Sequence, residues 1–174
     1  MVVRCTQKLA KKLKLYPLPK TDTSDKGSVW YSNLFRVFGT QYIIMAESQT
    51  LLTVLFPGKG ITDLTTFGEA ARLQIVRLFE QMNETAALGT KIAYDKEPPT
   101  MLAAQDRSLL ACLRSITSEA KWMMEEGRSN QSEIVSELMS EFPVQYGAEM
   151  DTADSRAFRV IHGEDVERRR EPEN

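Results

Sequence analysis

Tyr42-Ile43-Ile44-Met45-Ala46, then Glu47-Ser48-Gln49-Thr50, then Leu51-Leu52-Thr53-Val54-Leu55-Phe56 is the stretch on which the fold turns. Two apolar, β-rich runs flank a short polar break, the spacing of an antiparallel hairpin over about residues 41–56. Both runs place apolar side chains at odd and even positions, whereas a strand with one wet face alternates. The pair therefore reads as part of a sheet interior with helices above and below, and Pro57-Gly58 closes it.

Helical periodicity supplies those covering layers. Thr66 and Glu69 form a capping-box pattern, followed by Ala71, Ile75, Leu78 and Met82 at 4-3-4 spacing. From about Arg107 to Glu126, Leu109, Leu113, Ile116, Ala120 and Met123 step by four and three up to Gly127, with Thr117-Ser118 as a point where the helix can divide. Ile134, Leu138 and Phe142 mark a further amphipathic stretch ending at Pro143. Ser28 can cap a helix carrying Trp30, Leu34 and Val37, with Gly39 at its end.

At the N-terminus, Val2 to Thr6 is β-branched and suits a strand, and Thr6 can cap a helix with Leu9 and Leu13 on one face. Tyr16 to Gly27 holds two prolines and reads as an exposed loop. Thr90 to Tyr94 is a candidate short strand before Pro98-Pro99, and Ala157 to Ile161 is either a strand or a helical turn. The sum is an α+β domain over residues 1–162, a small central sheet packed by several amphipathic helices, with residues 163–174 a charged and disordered tail.

Composition bounds function. The 174 residues suffice for one substantial core, and 42% hydrophobic with 26% charged residues is ordinary for a globular chain. Twenty-two basic against 24 acidic residues leave a net charge of −2, with no overall field to draw a polyanion, so nucleic acid is not the expected partner. The apolar runs fall far short of the roughly 20 residues that cross a bilayer. The expected location is the cytoplasm, where Cys5 and Cys112 act as small buried hydrophobes in preference to a disulfide pair.

No nucleophile elbow, phosphate-cradling loop or metal-spaced histidine pair occurs. His162 reads as an exposed residue at the edge of the tail, and the Arg168-Arg169-Arg170 run as part of a solvated one. The expectation is no cofactor, no metal and no catalytic residue. Two polar clusters at helix starts remain: Arg4, Thr6, Gln7 and Lys8, and Gln105, Asp106, Arg107 and Ser108. Each can receive an anion through free N–H groups and cationic side chains, or can simply finish its helix, Asp106 as the cap. Trp30 and Tyr31 can offer a stacking surface or build core. Glu47 and Gln49, in the turn, are expected in solvent.

The R-C-T-x-K-L run of Arg4 to Leu9, the W-Y-x-N-L run of Trp30 to Leu34, the hairpin through Glu47 and Phe56, and the D-R-S-L-L run of Asp106 to Leu110 occur in a telling order. Together they resemble a family of small, mostly bacterial proteins defined only as a domain of unknown function, over roughly residues 1–115. The resemblance implies a compact α+β domain in a bacterial, plasmid or phage setting, and it implies no activity.

The leading expectation is a non-enzymatic accessory or regulatory domain that contacts a protein partner or a second copy of itself, with Met123, Met124 and Met139 furnishing an adaptable surface. The alternative is a small-molecule or nucleotide-phosphate binder, in one form an enzyme, with an anion site formed by Arg4, Thr6, Lys8, Arg107 and Ser108 beside Trp30. A third is nucleic-acid binding through the Lys8–Lys14 face.

Overall fold

The computed structural model describes residues 1–20, 28–82, 98–140, 144–146, 149–153 and 155–157. Thr90–Tyr94, Phe142, residues 158–161, His162, the arginine run and the tail lie outside them, as do residues 21–27 of the expected loop.

The central sheet has five strands: β1 (Val2–Cys5), β2 (Val29–Val37), β3 (Thr40–Glu47), β4 (Thr53–Pro57) and β5 (Thr100–Ala103). Their order is β4-β3-β2-β1-β5. β1 lies in parallel between β2 and β5, and β2, β3 and β4 form an antiparallel meander. The expected hairpin is therefore present. Its second strand is an edge strand, and it is apolar on both sides because helices flank it.

Among the described residues the sheet is covered by α1 (Gln7–Lys12), α2 (Leu64–Gln81), α3 (Arg107–Glu125) and α4 (Gln131–Ser140). Register assigns them to faces. Arg4, Tyr31, Asn33, Ile44, Leu55 and Leu102 share one face, and Val3, Cys5, Trp30, Ser32, Phe56 and Met101 share the other. The Asn33 amide reaches Thr117 of α3 at 3.4 Å, which lays α3 over the first face. Phe56 meets Phe67 of α2 at 6.4 Å between ring centroids, and Lys12 of α1 bonds Gln41 at 2.6 Å, so α1 and α2 cover the second. α4 packs against α3 and β4. The result is a sheet between two helical layers, with a core that includes Leu9, Trp30, Ile43, Phe67, Ile75 and Leu113. A small ribbon, β6 (Val144–Tyr146) with β7 (Glu149–Asp151), lies beside α3.

Three local readings are corrected. Val29–Val37 is a strand, not a helix capped by Ser28. Trp30, Leu34 and Val37 do recur at helical spacing, but Val29, Tyr31 and Phe35 are equally buried, as they are in a strand covered on both faces. Phe38 and Gly39, with φ of 46° and 82°, then make the two-residue turn into β3, a geometry that asks for a positive φ at both positions. Gly39 thus turns a hairpin and ends no helix.

The second correction moves the start of α2. Its cap is Asp63, whose carboxylate accepts from the Thr66 N–H at 2.9 Å while the Thr66 hydroxyl accepts from the Asp63 N–H at 3.4 Å. The box is real but begins one turn earlier than Thr66–Glu69. Hydrogen bonds from Thr66, backbone first, hold the Asp63 carboxyl below the usual carboxylate range. Third, α3 runs unbroken through Thr117, whose hydroxyl donates to the Leu113 carbonyl at 2.6 Å.

Cys5 and Cys112 are both buried and free. Cys5 points toward α1, and Cys112 belongs to α3 across the sheet. Burial pushes the Cys5 thiol up to about 12, against a smaller opposing hydrogen bond from Ala10. A raised folded-state value means that the neutral thiol stabilises the fold fully below about pH 9, the unfolded value. That contribution is lost as pH climbs toward 12. Urea midpoints measured between pH 8 and 11 should fall with pH in the native chain and fall less in Cys5→Ala. Parallel slopes would show that this thiol contributes nothing.

Candidate functional site

The six residues singled out as a ligand site are divided by the sheet. Arg4 projects from the interior strand β1 onto the α3 face, is buried at 8% exposure, and donates to the Ala103 carbonyl of β5 at 3.4 Å. Arg107 and Ser108 form the exposed first turn of α3 on that same face. Lys8 is exposed on α1, across the sheet, and Trp30 is buried on that second face. Thr6 sits between, at the end of β1, where its hydroxyl donates to Asn33 Oδ1 at 3.1 Å and does not cap α1. The fold therefore keeps Arg4, Arg107 and Ser108 on one side and sets Lys8 and Trp30 apart from them.

Local capping explains the head of α3. Asp106 accepts from the Leu109 N–H at 3.0 Å, so its carboxylate occupies one of the helix's orphan donors. The parallel pairing of β1 with β5 brings the starts of α1 and α3 to the same end of the sheet, with the Ala104 N–H bonded to the Cys5 carbonyl at 3.3 Å.

Two buried charged groups lie elsewhere, and both hold the β3–β4 turn. Glu47, expected in solvent, is 8% exposed. Its carboxylate accepts from the N–H groups of Gln49 and Thr50 at 2.8 Å each, from the Thr50 hydroxyl at 2.9 Å and from the Ser48 hydroxyl at 3.3 Å. Within this turn Leu51 takes a φ of 61°, left-handed for a branched residue, so the carboxylate secures a backbone conformation that disfavours its own sequence. Arg156, 107 positions from Gln49, is 2% exposed and donates to the Gln49 carbonyl through Nε at 3.3 Å and Nη2 at 3.0 Å. No sequence pattern links those two residues.

The groups turned outward are of a different kind. Met123, Met124 and Met139, expected as an adaptable surface, are core residues with at most 7% exposure. Trp122, beside them in sequence, is 51% exposed. The stripe Leu109, Leu113, Ile116, Ala120 and Met123 fixes the buried side of α3 and leaves Trp122 outside it, a signal present in the sequence that the sequence reading passed over. Arg107, Arg114 and Lys121 follow one another at seven-residue steps, a row that drifts only about 20° per step along the exposed side. Lys121 pairs with Glu125 at 3.4 Å, while Arg107 and Arg114 have no ion pair among the described residues. Ala111 and Ser118 keep the strip between the row and Trp122 low.

Around α1 the cations are dispersed: Lys8 and Lys14 are exposed, Lys11 lies 5.2 Å over the Tyr16 ring, and Lys12 is bound to Gln41. Among the described residues no three His, Cys, Asp or Glu side chains gather as a metal would need, and no helix is long and apolar enough to cross a membrane.

A five-stranded mixed sheet between helical layers, with β1 parallel to both its neighbours and an antiparallel meander on the other side, defines an α+β domain. The chain belongs to the family described as Domain of unknown function (DUF6933), whose model matches residues 2–153. That span takes in every strand of the central sheet and the four helices α1 to α4 of the described residues. No curated protein matches the chain.

Proposed function

We propose that this domain is a non-enzymatic interaction module, an accessory or regulatory protein of a bacterial cytoplasm or a mobile element, and that the outer side of α3 is the surface it presents. The observation that carries this reading is Trp122. A half-exposed tryptophan on a helix whose opposite side is fully packed forgoes burial of a large apolar ring, and such residues are the commonest anchors of protein interfaces. The neighbouring Arg107–Arg114–Lys121 row adds charges that select partners and raise association rates. Several buried polar side chains that chemistry would otherwise use, Arg4, Glu47 and Arg156, are engaged in holding backbone.

The test is co-purification from the natural host with the full chain and with Trp122→Ser, quantified by mass spectrometry. A partner recovered with the native chain should be depleted about tenfold or more by the substitution, the loss expected for an anchor worth 2 kcal/mol or so. The melting temperature should stay within a degree or two, because a half-exposed ring contributes little to the core. Equal recovery by the two chains would remove α3 as the contact surface.

A further inference from the structure

The two edges of the sheet are finished differently. At β5 the Ala103 N–H is met by the Pro19 carbonyl at 3.0 Å, so the segment after α1 covers that side. β4, the other edge, opens onto a cleft of about 240 Å³. Val54 and Leu55 both line it, although successive residues of a strand point to opposite faces, so the cleft lies across the strand's free edge. α2 from one face and the start of α4 from the other form its walls.

Register shows what that edge offers. The Gly58 N–H bonds the Gln41 carbonyl at 2.7 Å and the Glu47 N–H bonds the Leu52 carbonyl at 2.9 Å. Pairs bonded to β3 therefore fall at Leu52, Val54, Phe56 and Gly58, and the N–H and C=O of Leu55 face away from the sheet. Above them stand Gln74, Arg77 and Gln81 of α2, at i, i+3 and i+7 on one helical side, with Gln131 opposite. Among the described residues Arg77 is the one charged side chain lining the cleft, no carboxylate opposes it there, and it has no hydrogen bond or ion pair.

We infer that this cleft is a binding site for a small carboxylate-bearing molecule of amino-acid or dicarboxylate size. The single cation sets the sign of the ligand's charge, since Arg pairs with carboxylates in a planar, two-bond geometry. The carboxamides supply both donors and acceptors for its remaining polar groups. Val54, Leu55 and Leu78, buried in the core, close the floor beneath these groups. The volume sits below the ~300 Å³ at which sites for drug-sized ligands begin, which favours a compact molecule.

The experiment is a ¹⁵N-resolved NMR titration of the full chain with sodium succinate, L-glutamate and, as a neutral counterpart, succinamide, at constant ionic strength. Succinate or glutamate should move the amide signals of Leu55, Gln74 and Gln131 saturably, with Kd on the order of 1 mM or tighter. Arg77→Gln should weaken binding about tenfold. Its melting temperature should not move, because Arg77 is exposed and bonded to nothing among the described residues. Gln81→Glu, which sets a negative charge in the same wall, should weaken it as well. Trp122→Ser should leave the titration unchanged, so this site and the α3 surface stand or fall separately. Absence of saturable shifts, shifts centred elsewhere, equal binding of succinamide, or indifference to both substitutions would each overturn the assignment.

Discussion

Replacing Glu47 by alanine should destabilise the fold by about 3 kcal/mol, measured as a drop in the urea midpoint at pH 7. The substitution removes an acceptor from four donors within the β3–β4 turn. Hydrogen bonds to a charged group are worth roughly 1.5–3 kcal/mol each, and donors left buried without a partner add their own desolvation cost. The full sum is not reached, since an opened turn lets water satisfy part of it. Glu47→Gln keeps an acceptor oxygen and should lose about half as much. The effect is large against a total stability of about 5–15 kcal/mol. A loss below ~0.5 kcal/mol would mean that the turn holds its shape through Leu51 and the strand ladder alone.

Phe67→Ala should cost about 4 kcal/mol, the largest single loss expected for this chain. Phe67 is fully buried and joins α2 to the sheet through Phe56, so its removal deletes an aromatic ring and leaves a cavity that the rigid sheet cannot collapse. The double variant with Phe56→Ala should fall short of the sum of the singles by about 1 kcal/mol, because the ring pair contributes energy beyond its area. Additive losses would show that the two rings fill separate volumes.

How far the sequence carried the fold depended on whether one periodicity had a competitor. α2 and α3 were legible because Ala71, Ile75 and Leu78, and Leu109 through Met123, fit a helix and fit nothing else. The segment Val29–Val37 failed because Trp30, Leu34 and Val37 satisfy a helical stripe inside a run that is apolar at nearly every position, where period gives no decision and the β-branched and aromatic content should have weighed more. β5 was not found at all: Thr100–Ala103 is four residues directly after Pro98-Pro99, and it becomes a strand through parallel pairing with β1, a contact nearly 100 residues distant.

The site was less legible than the fold, for the same reason. Arg107 and Ser108 were placed correctly at the head of a helix, yet whether they share a face with Arg4 or with Lys8 follows from strand register and not from local pattern. The buried role of Glu47 depends on a turn closing around its carboxylate, and that of Arg156 on a chain segment 107 positions away. The cleft beside β4 draws on three separate segments, of which only Gln74, Arg77 and Gln81 show a recognisable polar side of a helix.

The central claim is that α3 presents its outer side to a protein partner. A photoreactive amino acid placed at position 122 of the full chain, with position 59 on the β4–α2 connection as a control, reads it most directly when the host cell is illuminated and adducts are resolved by mass. The account predicts a discrete adduct at 122 that is absent at 59 and is lost when Arg107 and Arg114 are both changed to Glu. Adducts equal at the two positions, or none at 122, would contradict it.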